Sequence, residues 1–467
     1  MGFIRDSVCP REPFFQMNRM QISVRQFVIC ASLWAGLVSD SSGADAPPEF
    51  RLAITNTPEI PTNGVLSLQQ VLRSVLVNNP SLKSARANWD AMKQRVPQAR
   101  AWEDLRSEFD TVVGRFVSIP PNSFTDQRLM VEQAVPLAGK NRLRGEAAEA
   151  DAVAAFAELH RRELDLTAKA RTAFYRLANA GEQLRIVDAN LELLKQFARI
   201  SRKKYEAGTG TQSDVLAAET DASKLEESRY DLLRQISDTE SQLNVLMNRP
   251  AQLPLSHPGE IQFVTVHYDL QHLQALAMDH RPELVMGRMK TEATHARLAA
   301  SKREWIPDPS LRVEASRYND SAPAASEVMA GVAINIPWLN RRKYRAAIEE
   351  ARQMELGAEY DLESAEKETL GLVREAYNKV ETLHHHVELF RDRILVLARQ
   401  NASATRQAYE TDKAPFLNLI DAQRTLQEVE GMYWNHLAEY LSALAELESV
   451  VGTDPTRAPE THHQPGK

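Results

Sequence analysis

The chain has 467 residues, 43% hydrophobic and 25% charged, with a formal net charge of −7. It is too long for one small domain, and no run of 18 apolar residues offers a membrane-spanning helix. Nor is there the basic run with interleaved aromatics that nucleic-acid binding needs, so no nucleic-acid partner is expected.

In chain order, Arg19 and Arg25 precede the apolar core Phe27–Val38, and Ser42 and Ala44 stand at the −3 and −1 positions of a cleavage site. The pattern predicts a secretory signal over 1–44, with Met1, Met17 or Met20 as the start. Both cysteines, Cys9 and Cys30, fall inside it, so disulfides and thiolate metal sites are not expected beyond it. An extended segment, 45–66, follows.

From residue 67 the chain reads as two copies of one plan, 67–250 and 269–452, joined by a linker at 251–268. "SLQQVLRSVLVNNPSL" (67–82) aligns with "DLQHLQALAMDHRPEL" (269–284) at an offset of 202, "MVEQAVPL" (130–137) with "GVAINIPW" (331–338) at 201, and Tyr205 with Tyr409 at 204. Each copy opens on a helical pattern, roughly 67–102 and 269–304. Four stretches of period two come next, about 108–117, 128–135, 311–318 and 328–336, joined by turns rich in Pro, Asn, Ser and Asp. Very long helical patterns occupy 138–205 and 339–408, and a turn leads each into a final helix. Positions 215, 218, 222, 225, 229, 232, 236, 239, 243 and 246, and again 419 to 450, step by three and four with mostly apolar residues, a coiled-coil seam. The tail, 453–467, reads as disordered.

Strands of eight to ten residues with one apolar face suit a membrane β-barrel wall. Four strands cannot close one, because about eight is the minimum and open edges cannot face lipid. Other copies of the chain must complete the barrel: two copies give eight strands with an interior filled by side chains, and three give twelve and room for a pore, which a channel role favours. The expected class is α+β, a long helical coiled-coil barrel carrying four strands per protomer. Alternation puts Val332 and Ile334 on the lipid face and Arg312 and Glu314 in the barrel lumen; Trp305 and Trp338 suit an interfacial girdle.

The ordered set "YEAGTGTQSDVLAAETDASKLEE" with "QLNVLMNRP", then "YETDKAPFLNLIDAQRTL", with the strand exits "VEQAVPLAGKNR" and "VAINIPWLNRRK", resembles the TolC-type outer-membrane efflux family over residues 60–452. The resemblance implies a homotrimer in the outer membrane with a periplasmic helical domain, taking substrate from an inner-membrane pump through a periplasmic adaptor. It places the turns Tyr205–Ser213 and Tyr409–Phe416 at the periplasmic tips, where Tyr205, Gly208, Gly210, Thr211, Asp412, Lys413 and Pro415 would meet the adaptor. Asp421, Asn418, Tyr409 and Asp214 would line the entrance, three copies of Asp421 forming an acidic ring. Asn418 stands where some members carry a second acidic ring, and Asp412 replaces a frequent tip glycine. "GTGTQSDVL" is reminiscent of the heavy-metal branch.

Asp214 also suits a helix start, helped by Ser213. "HHH", His384–His386, points three ways from one helix and cannot chelate one ion; a surface position is expected. No nucleophile–base pair, phosphate loop or ligand cluster emerges, so no enzyme, cofactor or resident metal is expected. The competing class is a secreted periplasmic coiled-coil adaptor or scaffold, which would carry one helical hairpin flanked by small β-domains.

Overall fold

The computed structural model describes residues 64–114, 116, 125–318, 326–411 and 413–455. The signal at 1–44, most of the segment 45–66, the strand-joining turns, Asp412 and most of the tail lie outside them.

Each helical lead-in is two helices, not one: α1 (Leu68–Asn78) and α2 (Pro80–Arg100) in the first half, α5 (Leu270–His280) and α6 (Pro282–Arg303) in the second. The break is proline chemistry. Pro80 and Pro282 lack an N–H and force the preceding residue out of the helical region, so Asn79 and Arg281 are extended, with ψ of 123° and 122°. Asn79 then caps α2 through a bond accepted from Ser81 N at 2.9 Å.

β1 (Arg106–Thr111), β2 (Thr125–Ala134), β3 (Pro309–Tyr318) and β4 (Ser326–Ile334) form one antiparallel sheet in the order β1-β2-β3-β4. β1 stops at Thr111, leaving Val112, Val113 and Gly114 of the expected 108–117 stretch outside the strand, while Arg115 and Val117 lie outside the described residues. The register pairs Leu129 with Ala315, Val131 with Val313, and Leu311 with Val332. Phe109, Leu129, Leu311, Val313, Val328, Val332 and Ile334 therefore share one face and all are exposed. The opposite face carries Glu108, Asp110, Arg128, Arg312, Glu314 and Glu327, with Met130 and Glu314 buried.

The strands feed long helices. α3 (Lys140–Glu206) runs 67 residues, on the order of 100 Å at 1.5 Å per residue. Its counterpart is interrupted: α7 (Arg341–Leu389) and α8 (Leu395–Glu410) are joined by a π-helical turn, where Leu395 N–H reaches back to Phe390 O. α4 (Gln212–Leu246) returns along α3, and α9 (Phe416–Val451) along α7 and α8. No seam position of either returning helix is exposed, so the three-and-four stepping marks the buried stripe.

Two cores result. The larger joins α1, α3, α5, α7 and α9 around Phe174, Met247 and Tyr440, with Leu255 and Ile261 of the linker between the halves. The smaller lies toward the turns, where Val187, Leu191 and Phe197 meet Leu225 and Leu232 of α4 and Phe416, Leu419 and Ile420 of α9. Gly452 ends α9 at φ +87° against the α5–α6 corner, where a Cβ would stand 2.8 Å from Arg281 Cα.

Candidate functional site: two helical tips and the base of the sheet

At the first tip α3 ends at Glu206, and in its last turn the Lys204 carbonyl accepts from Thr209 N at 2.9 Å and Gly210 N at 3.0 Å. The chain turns through Gly208 at φ +76°, and Gly210 lies so close to the helix end that a Cβ would meet Lys204 and Tyr205 backbone at 3.1 Å. Thr211, rather than Ser213, is the cap of α4: its hydroxyl accepts from Asp214 N at 3.2 Å and Thr211 N donates to Asp214 Oδ2 at 3.4 Å. This capping box engages the Asp214 carboxylate. Tyr205 stays exposed, as do Leu216 and Leu417 nearby.

The second tip is built differently. Lys413 N donates to Ala408 O at 2.8 Å, Pro415 holds the cap position with no side-chain cap, and Asn418 N donates to Pro415 O at 3.2 Å. Lys413 and Asn418 are exposed. The tips touch: Lys204 Nζ sits 4.5 Å above the Tyr409 ring, which packs on Phe416 at 5.6 Å. Tyr409 is thus half-buried between the tips.

Asp421, one turn and a half into α9, is exposed and 3.4 Å from Arg424 Nη1. Arg424 in turn holds Asp221 of α4 at 2.6 Å, a hydrogen bond that raises the guanidinium pKa above its ordinary value. This tie between the returning helices was not legible in the sequence; the 203-residue separation leaves no local signal.

Away from the tips, α3, α4, α7 and α9 border a cleft of about 1640 Å³ lined by Asp165, Lys169, Arg176, Asn179, Asn378 and Glu439. His384 is not at the surface. Its ring packs on Phe263 and Tyr440 at 5.3 and 5.7 Å, His386 stacks near His436 at 5.1 Å, and only His385 is exposed. The three rings diverge, as helix geometry requires. Among the described residues no group of three or more His, Cys, Asp or Glu could hold a metal.

At the base of the sheet a buried cation locks the halves together. Lys140 donates to Asp308 Oδ2 at 2.7 Å and Ile306 O at 2.6 Å, while Asp308 Oδ1 accepts from Leu137 N at 2.8 Å. Ala138 and Gly139, both at positive φ, make the corner before Lys140, and Arg303 Nη1 binds Ala138 O at 2.6 Å. Sequence reasoning missed this junction, whose partners are 168 residues apart.

The residue pattern that defines the family described as outer membrane efflux protein matches residues 120–249 and 273–453. The chain belongs to this family. It is an outer-membrane channel for efflux, with a helical domain in the periplasm, and members of the family work as trimers with an adaptor and an inner-membrane pump. Among curated relatives, the cobalt-zinc-cadmium resistance protein CzcC of Cupriavidus metallidurans is 21% identical over 87% of this chain and 96% of its own. Among solved structures, the outer-membrane channel OprN superposes with a TM-score of 0.71 at 20% identity, covering 82% of this chain and 89% of OprN. The outer membrane protein VceC of Vibrio cholerae gives 0.69 at 20% identity, covering 83% and 96%. The efflux fold has two helical hairpins hung from one four-stranded sheet, unlike the single hairpin with flanking β-domains that an adaptor would need.

Proposed function

We propose that three copies of the chain close a twelve-stranded barrel and conduct divalent metal cations outward. The observation carrying this is the sheet: among the described residues both outer strands, β1 and β4, have unpaired edges, and one face is an exposed, mainly apolar surface. Such a sheet is stable in lipid only when its edges are paired. In that assembly Arg312 and Glu314 face the lumen, and the cleft between the long helices belongs to the same conduit.

The tips, through Tyr205, Gly208, Gly210, Thr211, Asp412, Lys413 and Pro415, are the adaptor-docking surface, with exposed Leu216 and Leu417 as apolar anchors. Asp421 and Asn418 line the mouth beside Tyr409, and Asp214 supports the entrance by fixing the start of α4. Three Asp421 carboxylates around one mouth make a shared negative potential that concentrates cations. The metal class rests on the likeness to the cobalt-zinc-cadmium resistance protein along nearly its whole length. Deleting the gene and challenging cells with cobalt, zinc, cadmium and organic dyes tests it: metal sensitivity should rise and dye sensitivity should not. The opposite pattern would overturn the substrate class and leave the channel intact.

A further inference from the structure

The base of the sheet has one closed junction and two open half-junctions. In the closed one, between β2 and β3, Lys140 is buried against Asp308. The register shows where the matching residues of the other hairpin edges lie. Arg106 stands opposite Glu132 in β1–β2, and Ser310 opposite Ala333 in β3–β4. With Glu132 matched to Ala333, an offset of 201, Lys140 corresponds to Arg341. With Arg106 matched to Ser310, an offset of 204, Asp308 corresponds to Asp104. The cation and the acid recur, at opposite edges of the sheet but at the same end of it.

Among the described residues neither has an ion-pair partner within its own chain. Arg341, Arg342 and Arg345 are exposed, and among the described residues none of them has an ion pair; the same holds for Glu103 and Asp104. Both half-junctions also carry exposed apolar side chains, Trp338 and Leu339 beside the cations and Trp102 and Leu105 beside the acids. Cations in the first turn of α7 are disfavoured by the helix dipole, so nothing local explains them. Because four strands alternate in direction, β4 of one copy laid along β1 of another is again antiparallel, a head-to-tail contact that closes a ring.

We propose that Arg341 of each copy binds Asp104 of the next, repeating at every subunit boundary the Lys140–Asp308 clasp found inside the chain. Glu103 and Arg345 extend the contact, and Trp338, Leu339, Trp102 and Leu105 exclude water from it. The guanidinium suits the position, since it can engage a carboxylate through two parallel hydrogen bonds. The proposal rests on the trimer proposed above and adds which residues join its subunits.

The test is charge reversal with rescue. Arg341→Asp and Asp104→Arg, each alone, should lower the fraction of SDS-resistant trimer roughly tenfold at the temperature where half of the unmodified trimer survives. Combining them should restore most of it. Independently, Asp104→Cys with Arg341→Cys should give covalent dimers and trimers with a short bifunctional maleimide, and either cysteine alone should not. A chain that sediments as a trimer but shows neither rescue nor cross-link overturns the clasp and leaves the trimer standing. An unmodified chain that sediments as a monomer in detergent overturns both. Loss of co-purifying anionic phospholipid in Arg341→Asp, with Asp104→Arg silent, would assign the cations to lipid and also overturn the clasp.

Discussion

Replacing Lys140 by methionine keeps the apolar stem and removes the ammonium. The structure sets the size of the effect. The Lys140 side chain is 3% exposed, and its loss strands the Ile306 carbonyl and leaves Asp308 without its cation. Breaking a fully buried pair costs about 3–5 kcal/mol. Asp308 is 31% exposed and can recruit water, so the expected cost is about 2–3 kcal/mol, the orphaned carbonyl included. That is roughly a fiftyfold shift toward the open junction. Hydrogen exchange read by mass spectrometry localises it: amides at the junction, among them Val135 bonded to Pro309 O and Leu137 bonded to Asp308, should lose protection by about that factor. Peptides spanning the tips should not change. Asp308→Asn alone should do nearly the same damage, and the double variant little more, since both changes break one interaction. Strictly additive effects of the two substitutions would refute the reasoning.

Three further outcomes are expected. Val332→Arg, on the apolar face of β4, should impair membrane assembly by about 2–4 kcal/mol, whereas Arg312→Glu on the opposite face should leave trimer yield unchanged; equal tolerance in a semi-native gel would reverse the faces. Asp421→Asn should weaken cation preference and divalent block in planar-bilayer recordings without altering assembly, and a loss of assembly with unchanged selectivity would make Asp421 structural. Glu448 is pushed above its ordinary 4.5 by burial, with Arg171 opposing the shift. Its charged form is disfavoured in the fold, so the stabilisation is complete below 4.5 and lost as pH rises through the raised value. On acidification from neutral pH toward 4.5, the unmodified protein should therefore gain thermal stability relative to Glu448→Gln, and parallel melting curves would show that the group does not titrate differently on folding.

Strand faces were legible because period-two alternation states directly which side chains share a face, and the register put Val313, Val332 and their neighbours together as expected. The seams were legible for the same reason at helical period. The breaks at Pro80 and Pro282 carried a clear local signal that a long apolar periodicity outweighed. What the sequence hid was long-range or cooperative. Lys140 reads like any lysine opening a helix until Asp308 arrives from the other half. His384 looks like one of three surface histidines until α9 and the linker place Tyr440 and Phe263 against it. Ser213 and Asp214 both suit a helix start, since several residues of that turn can cap a helix, and backbone geometry alone selects Thr211.

The π-helical turn at Phe390–Ile394 has a consequence for symmetry. "AFY" (173–175) aligns with "EAY" (375–377) at an offset of 202, so the second half holds two more residues than the first between there and the tip tyrosines, which align at 204. The wider turn absorbs one extra residue and rephases the helix below it, so the buried stripe of α9 still finds its partner. One protomer therefore ends in two quasi-equivalent handles, a glycine turn with a threonine cap and a proline turn without one. In a trimer they alternate around the rim. A ring of six identical partner subunits gripping that rim would have to adopt two conformations in alternation, acting as three pairs, and a ring of three would have to choose between the handles.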